Sequence, residues 1–196
     1  MSEVAPAYAA SDRAPQISRA SRRHWIDAAL LQVFASTAVR RALQDHQRLN
    51  LASLGEQAFQ AVETTLNAHV LAFDGESLAT HRQLVLGLPG QALFVASGLA
   101  LDTLAEALPF FQLTAKTAWQ KLDVTLSSSQ SEQALRLSRI AVMAAELMGS
   151  AEEGRRYLRT RNFALGGATP LDLLRTAEGE QLVLAELQAQ ADGGPV

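Results

Sequence analysis

The stretch Arg159-Thr-Arg-Asn-Phe-Ala-Leu-Gly-Gly-Ala-Thr-Pro-Leu-Asp-Leu-Leu-Arg-Thr-Ala-Glu-Gly179 constrains the fold more than any other part of the chain, because turn and cap signals crowd it in a fixed order. Gly166 and Gly167 permit positive φ or the close approach of another backbone, and neither brings catalytic chemistry. In Thr169-Pro170-Leu171-Asp172 a hydroxyl can cap a helix, a proline can fill the first turn without losing a needed donor, and an acid follows three residues after the cap. Asn162, Thr176 and Gly179 complete the punctuation. Such a segment must lie between short helices, and we read it as a docking surface; an interhelical turn is the plainer reading of the glycine pair, and the two are compatible.

The rest of the chain has helical periodicity. No run of alternating β-branched residues occurs, so the fold class expected is all-α. Residues 1–21 are rich in Ala, Ser, Pro and Arg and are expected as a flexible tail. A helix beginning near Arg22 is expected to bury Trp25, Ala28, Ala29, Leu31, Val33 and Ala35 and to end before Asn50. A second is expected over 54–73, stopped by Asp74-Gly75. After Gly87-Leu88-Pro89-Gly90, several short helices are expected, separated by Gly98, Pro109 and the serines at 127–129. Ser129 and Glu132 have capping-box spacing, and Leu137, Ile140, Ala141, Ala144, Leu147 and Met148 then share one face until Gly149. Ser150 and Glu153 repeat the box before a helix through Arg159. A last helix over 177–191 is expected to bury Leu182, Val183, Leu184 and Leu187, with a flexible end at 192–196.

Composition bounds the chemistry. With 196 residues, 48% of them hydrophobic, the chain can build one sizeable core or two small ones. Its net charge of −3 and pI near 5.8 argue against a surface made mainly to wrap nucleic acid. Residues 1–50 nevertheless hold seven Arg against four acids, and 123–196 ten acids against seven Arg, so charge is uneven. The arginines at 13, 19, 22 and 23 fit a solubilising tail better than a nucleic-acid arm. No cysteine is present, which excludes disulfides and thiolate chemistry and suits a cytoplasmic location. The apolar run 26–39 is too short to span a membrane, and residues 1–20 lack the apolar centre of a signal peptide. His24, His46, His69 and His81 are too dispersed for a metal site. Glu152-Glu153 fits the positive end of a helix dipole, and no nucleophile lies near a base. No catalytic residue, metal or cofactor is assigned, and the chain is not expected to be an enzyme.

Leu126-Ser127, Ser131, Arg136-Leu137, Arg139 and Gly149, then Tyr157-Leu158, Asn162, Leu165-Gly166-Gly167, Pro170-Leu171, Leu174, Thr176, Gly179 and Val183, follow one another in an order that resembles the antitoxins of the Xre/MbcA/ParS group. The resemblance covers residues 126–194. It departs from the family at Tyr157, where Trp is usual, at Gly154, in place of a better helix former, at Arg161, where Pro is common, and at Ala189-Gln190, in place of an Arg-Ile pair. The resemblance implies binding and neutralisation of a RES-domain toxin that consumes NAD, by covering its active site. The contacts it implies are Arg155, Arg156, Tyr157, Arg159, Arg161, Asn162, Leu165, Gly166, Gly167, Pro170, Gly193 and Gly194.

Upstream, residues from Gly87 to Leu122 resemble the family's Xre-type helix-turn-helix. One register uses Ala105 and Pro109 with Thr114 opening the second helix; the other uses Leu113, Thr114 and Thr117. Both place a recognition helix at about 115–122, with Thr114, Lys116, Thr117, Gln120 and Lys121 as candidate DNA contacts. Trp119 and Gln120 stand where basic residues are usual, which removes phosphate-neutralising charge. The organisation expected is a tail (1–21), an N-terminal helical extension (22–80), a helix-turn-helix region (81–125), and a linking helix with a small helical toxin-binding domain (126–196). A homodimer that also binds operator DNA and autoregulates its operon is expected. The alternative is a stand-alone helix-turn-helix regulator.

Overall fold

The computed structural model describes residues 19–44, 49–68 and 77–193, and among these it is all helical. The helices are α1 (Arg19–Phe34), α2 (Thr37–Gln44), α3 (Leu51–Ala68), α4 (Ser77–Leu86), α5 (Gln91–Ala100), α6 (Leu104–Phe111), α7 (Ala115–Lys121), α8 (Ser128–Met148), α9 (Ala151–Arg159), α10 (Pro170–Leu173) and α11 (Ala177–Ala191), with a 3-10 turn at Phe163–Leu165. The expected stops at Asp74-Gly75, most of the expected N-terminal tail, His46, His69 and Gly194 lie outside the described residues.

At the centre, α5 is buried along its whole length, from Gln91 to Ala100, between α3 and α8. Its contact with α3 is made backbone to backbone. A Cβ on Gly55 would fall 1.8 Å from the Gly98 carbonyl oxygen, so only hydrogen at both positions lets the two axes approach this closely. Gly98 therefore stands inside a helix at a crossing, and corrects its reading as a separator. Pro109 likewise lies inside α6, in its last turn. It and Ala105, whose carbonyl loses a donor there, are both exposed, so water can replace the bond.

The single helix expected from Arg22 to Asn50 is two. It breaks at Ala35-Ser36, where the Gln91 side chain donates to the Phe34 and Ser36 carbonyls at 2.5 and 3.0 Å. The Phe34 carbonyl, which a continuing helix would have bonded, is satisfied from 57 residues away instead, while the Ser36 carbonyl also takes the Arg40 N–H at 3.2 Å as α2 begins. The start of α8 also differs from expectation by two residues: Ser127 caps it and Gln130 completes the box. Gly149 then ends it in a left-handed conformation. In α11, Val183 and Leu187 are buried and Leu184 half-buried, but Leu182 is 56% exposed.

A buried charge knot fastens α1, α8 and α11 together. Arg139 grips Asp27 with two hydrogen bonds, Nε to Oδ1 at 2.6 Å and Nη2 to Oδ2 at 3.0 Å, and its Nη1 donates to Glu180. Arg136 and Arg23 reach the same Glu180 at 3.1 and 3.3 Å. Burial acts to lower the Arg139 pKa, but Asp27 and Glu180 outweigh it and hold the guanidinium above its ordinary value. Arg22 pairs with Glu146, so two of the four arginines expected in a solubilising tail, Arg22 and Arg23, brace the C-terminal helices. Residues 22–34, outside the family resemblance, thus belong to the same packed body as the last helix.

Candidate partner-docking surface

From α8 the chain turns back through Ser150, whose hydroxyl accepts from the Glu153 backbone at 3.1 Å, into α9. Gly154 sits against α8: a Cβ there would meet the Ala145 backbone nitrogen at 2.7 Å, so a residue that weakens an isolated helix is required by the packing of this one. The four arginines near the end of α9 divide by environment. Arg155 is buried, with Nε on Asp102 at 3.2 Å and Nη1 enclosed without a partner. Arg159 meets Asp102 at 2.5 Å and Glu106 at 3.6 Å. Asp102 lies just before α6 and Glu106 in its first turn, so Arg155 and Arg159 tie α9 to the start of α6. Arg156 is exposed and pairs with Glu153 one turn earlier, and Arg161 is exposed. Arg155 is therefore an internal brace here, whereas Arg156 and Arg161 face solvent.

The segment 162–168 closes on itself. The Asn162 backbone N–H donates to the Ala168 carbonyl at 3.0 Å, and its own carbonyl accepts from Gly167 at 2.9 Å and Leu165 at 3.1 Å. Its side-chain oxygen accepts from Ala164 N–H at 2.8 Å, while its amide donates to Glu186 of α11 at 3.0 Å. Gln190 donates to the same Glu186 oxygen at 2.7 Å. One asparagine thus caps the 3-10 turn, closes the loop and fastens it to the last helix. Gly166 and Gly167 have φ of +67° and +82°, and a Cβ on either would meet nothing within 4 Å. Of the two roles open to the pair, the positive φ is the one the fold itself requires, and the space above them is open. Leu165 is half-buried against the core beneath.

Thr169 caps α10, accepting from the Asp172 N–H at 3.1 Å and donating to the Asp172 carboxylate at 2.7 Å; Pro170 fills the first turn and is buried. Thr176 then caps α11 through the Gly179 N–H at 3.0 Å. Tyr157 is half-buried, its hydroxyl enclosed without a hydrogen bond beside Asn162 and Glu186. Burial, then the Glu186 carboxylate, push the phenol up to about 12, so it stays neutral and serves as an apolar prop under the loop. Gly193 is exposed at the end of the described chain, with φ of +81°.

Sequence reasoning did not single out Phe163. It is 98% exposed at the head of the 3-10 turn. No periodicity marks it, since it stands in a loop; the signal was an aromatic residue within a segment otherwise made of small residues, caps and turn formers.

The second candidate surface lies around α7. Thr114 caps it, with Thr117 completing a reciprocal box in which the Thr114 N–H donates to the Thr117 hydroxyl at 2.8 Å. Both hydroxyls are engaged in that cap. Lys116 and Gln120 point outward, Lys121 is half-buried, and Trp119 packs on Phe94 with ring centroids 4.7 Å apart. Of the five candidate DNA contacts, two, Lys116 and Gln120, are exposed and free of local bonding duty. Among the described residues no three His, Asp or Glu side chains gather as a metal-binding group, and no single helix is long and apolar enough to cross a membrane.

A small all-helical unit carrying a rigid, hydrogen-bonded loop on its outer side is the class that these elements define. Residues 143–193, from late α8 to the end of α11, match the family model of the antitoxin Xre/MbcA/ParS C-terminal toxin-binding domain. The C-terminal part of the chain is thus similar to a toxin-binding antitoxin domain. No curated protein and no solved structure matches the chain.

Proposed function

We propose that the protein is the antitoxin of a toxin–antitoxin pair, a cytoplasmic non-enzymatic inhibitor that binds a RES-domain, NAD-consuming toxin and blocks access to its active site. The observation that carries this reading is the match over residues 143–193, which takes in α9, the closed loop, α10 and α11 together. The chemistry agrees with it. Arg156, Arg161, Asn162, Leu165, the glycine pair and Gly193 supply exposed or half-exposed groups on a preorganised frame, and preorganisation reduces the entropy lost on binding. Tyr157 and Pro170 act from beneath, and Arg155 and Arg159 hold the frame to the α6 region.

Homodimerisation and operator binding complete the proposal. The exposed apolar residues Leu78, Val85 and Leu86 of α4 favour a contact between copies, and Lys116 and Gln120 of α7 favour a nucleic-acid face. Co-expression with the product of the adjacent reading frame tests the main reading. A stable complex and restored growth are expected. No complex, no toxicity from the neighbour, and sequence-specific DNA binding by the protein alone at physiological salt would instead favour a stand-alone regulator built on α6 and α7.

A further inference from the structure

Five other phenylalanines among the described residues, Phe34, Phe59, Phe94, Phe110 and Phe111, are buried at 6% exposure or less, whereas Phe163 is 98% exposed. A ring so fully in water gives nothing to the fold. The backbone beneath it is not loose: Asn162 accepts from the next amide but one, the Gly166 N–H donates to the Phe163 carbonyl at 3.0 Å, and the loop ends are bonded to each other. The ring therefore projects from a fixed platform, and ordering that backbone on binding costs little.

Its surroundings describe what it fits. Residues 155–175 hold five arginines against one aspartate, and of these Arg155, Arg156 and Arg159 are already paired with Asp102, Glu106 or Glu153. Among the described residues Arg161, two positions before the ring, and Arg175 make no ion pair. The open space above Gly166 and Gly167 lets a foreign backbone come close. We infer that Phe163 is the anchor of the docking surface, inserting into an apolar pocket on a protein partner whose rim carries carboxylates. This rests on the antitoxin reading, and the partner is the toxin.

A second copy of this chain suits the ring less well. The groove between α1 and α4, about 500 Å³ and lined by Ala28, Leu31, Gln32 and Leu86 among others, has no acidic lining residue. The groove between α1, α8 and α11, about 420 Å³, offers Glu146 but also Arg22 and Arg23, which would repel Arg161. Neither supplies a carboxylate rim for an aromatic ring flanked by arginine.

The test is a binding titration of the full chain against the purified product of the adjacent reading frame, with Phe163→Ala, Arg161→Glu and, as a distant exposed apolar control, Val124→Ala. Phe163→Ala is expected to keep its helical circular dichroism and to weaken binding at least about 30-fold. Arg161→Glu is expected to weaken it about 10-fold and to reduce its salt sensitivity, and Val124→Ala to change it less than about 2-fold. Tight binding by the wild type and equally tight binding by Phe163→Ala would overturn the anchor while leaving the antitoxin reading standing. No binding by the wild type would overturn both. Self-association of the wild type that Phe163→Ala abolishes would assign the ring to a second copy and overturn the inference.

Discussion

Arg139 and Arg161 stand 22 residues apart in the same C-terminal part of the chain, yet they live in opposite environments. Arg139 is 7% exposed and has hydrogen bonds to two carboxylates from two other helices. Arg161 is exposed and unpaired among the described residues. The contrast extends to their regions. In the knot of Asp27, Arg136, Arg139 and Glu180, polar groups are turned inward and satisfy one another; in the loop 161–168, the backbone is satisfied internally while an aromatic ring, an arginine and two glycines are left facing out. Residues quoted together as one family pattern therefore do two kinds of work. Ser131 and Arg139 hold the frame, since the Ser131 hydroxyl accepts from the Leu88 N–H at 2.9 Å, and Asn162 through Gly167 shape what the frame presents.

The contrast breaks if the knot can be cut cheaply. Arg139→Ala leaves Asp27 and Glu180 buried with Glu180 still facing Arg136 but Asp27 without its partner, and unfolding in urea should show a loss of about 3–5 kcal/mol. A loss no larger than that of an average surface substitution would mean that the knot does not hold α1 to α8 and α11. Next in size is Gly55→Ala, which forces α3 and α5 apart; about 2–3 kcal/mol is expected, read in the same urea midpoint. The loop should respond differently. Changing Gly166 and Gly167 together to Val places β-branched residues at positive φ, with about 1–2 kcal/mol of local strain per site. Global helicity should persist, yet neutralisation of the toxin should be lost; growth rescue undiminished by this variant would remove the loop from the docking surface. Asn162→Ala, which removes one cap and the tie to Glu186, should cost about 1 kcal/mol and raise amide exchange at Ala164.

The smallest effect is a pH dependence. Burial raises the Glu146 pKa above 4.5, Arg22 opposes this, and Glu63 adds to the rise. A carboxyl raised in the folded state binds more protons there than in the unfolded chain, so stability from this group is highest below about 4.5 and falls as pH climbs through the raised value. The difference in stability between wild type and Glu146→Gln, followed from acid to neutral pH, should decline with that sign. A difference that grows with pH would contradict it.

What could be read in advance follows a physical divide. Helix starts at Thr114, Ser150, Thr169 and Thr176 and the stop at Gly149 were legible because a cap is a local event, a hydroxyl or a glycine within four residues of the amides and carbonyls it serves. The apolar face of α8 was legible for the same reason, since it repeats every three to four residues. The break at Ala35-Ser36 was not, because Gln91 makes it from another helix. Gly98 was misread because a glycine at a helix crossing and a glycine in a turn look alike until the second helix is in place. Leu182 was misplaced because α11 has apolar residues on more than one side, and periodicity alone does not say which side meets α8. At the candidate site, the glycine pair and the caps carried local signals. The burial of Arg155 and the exposure of Phe163 depend on where α9 and the loop sit against the rest, which no spacing encodes.

Amide hydrogen exchange on the protein alone and mixed with the product of the adjacent reading frame tests the central claim most directly. Slowed exchange concentrated in residues 159–170 and the outer side of α11, with α3 and α5 unchanged, is the predicted result. Protection confined to α7, or none anywhere, would contradict it.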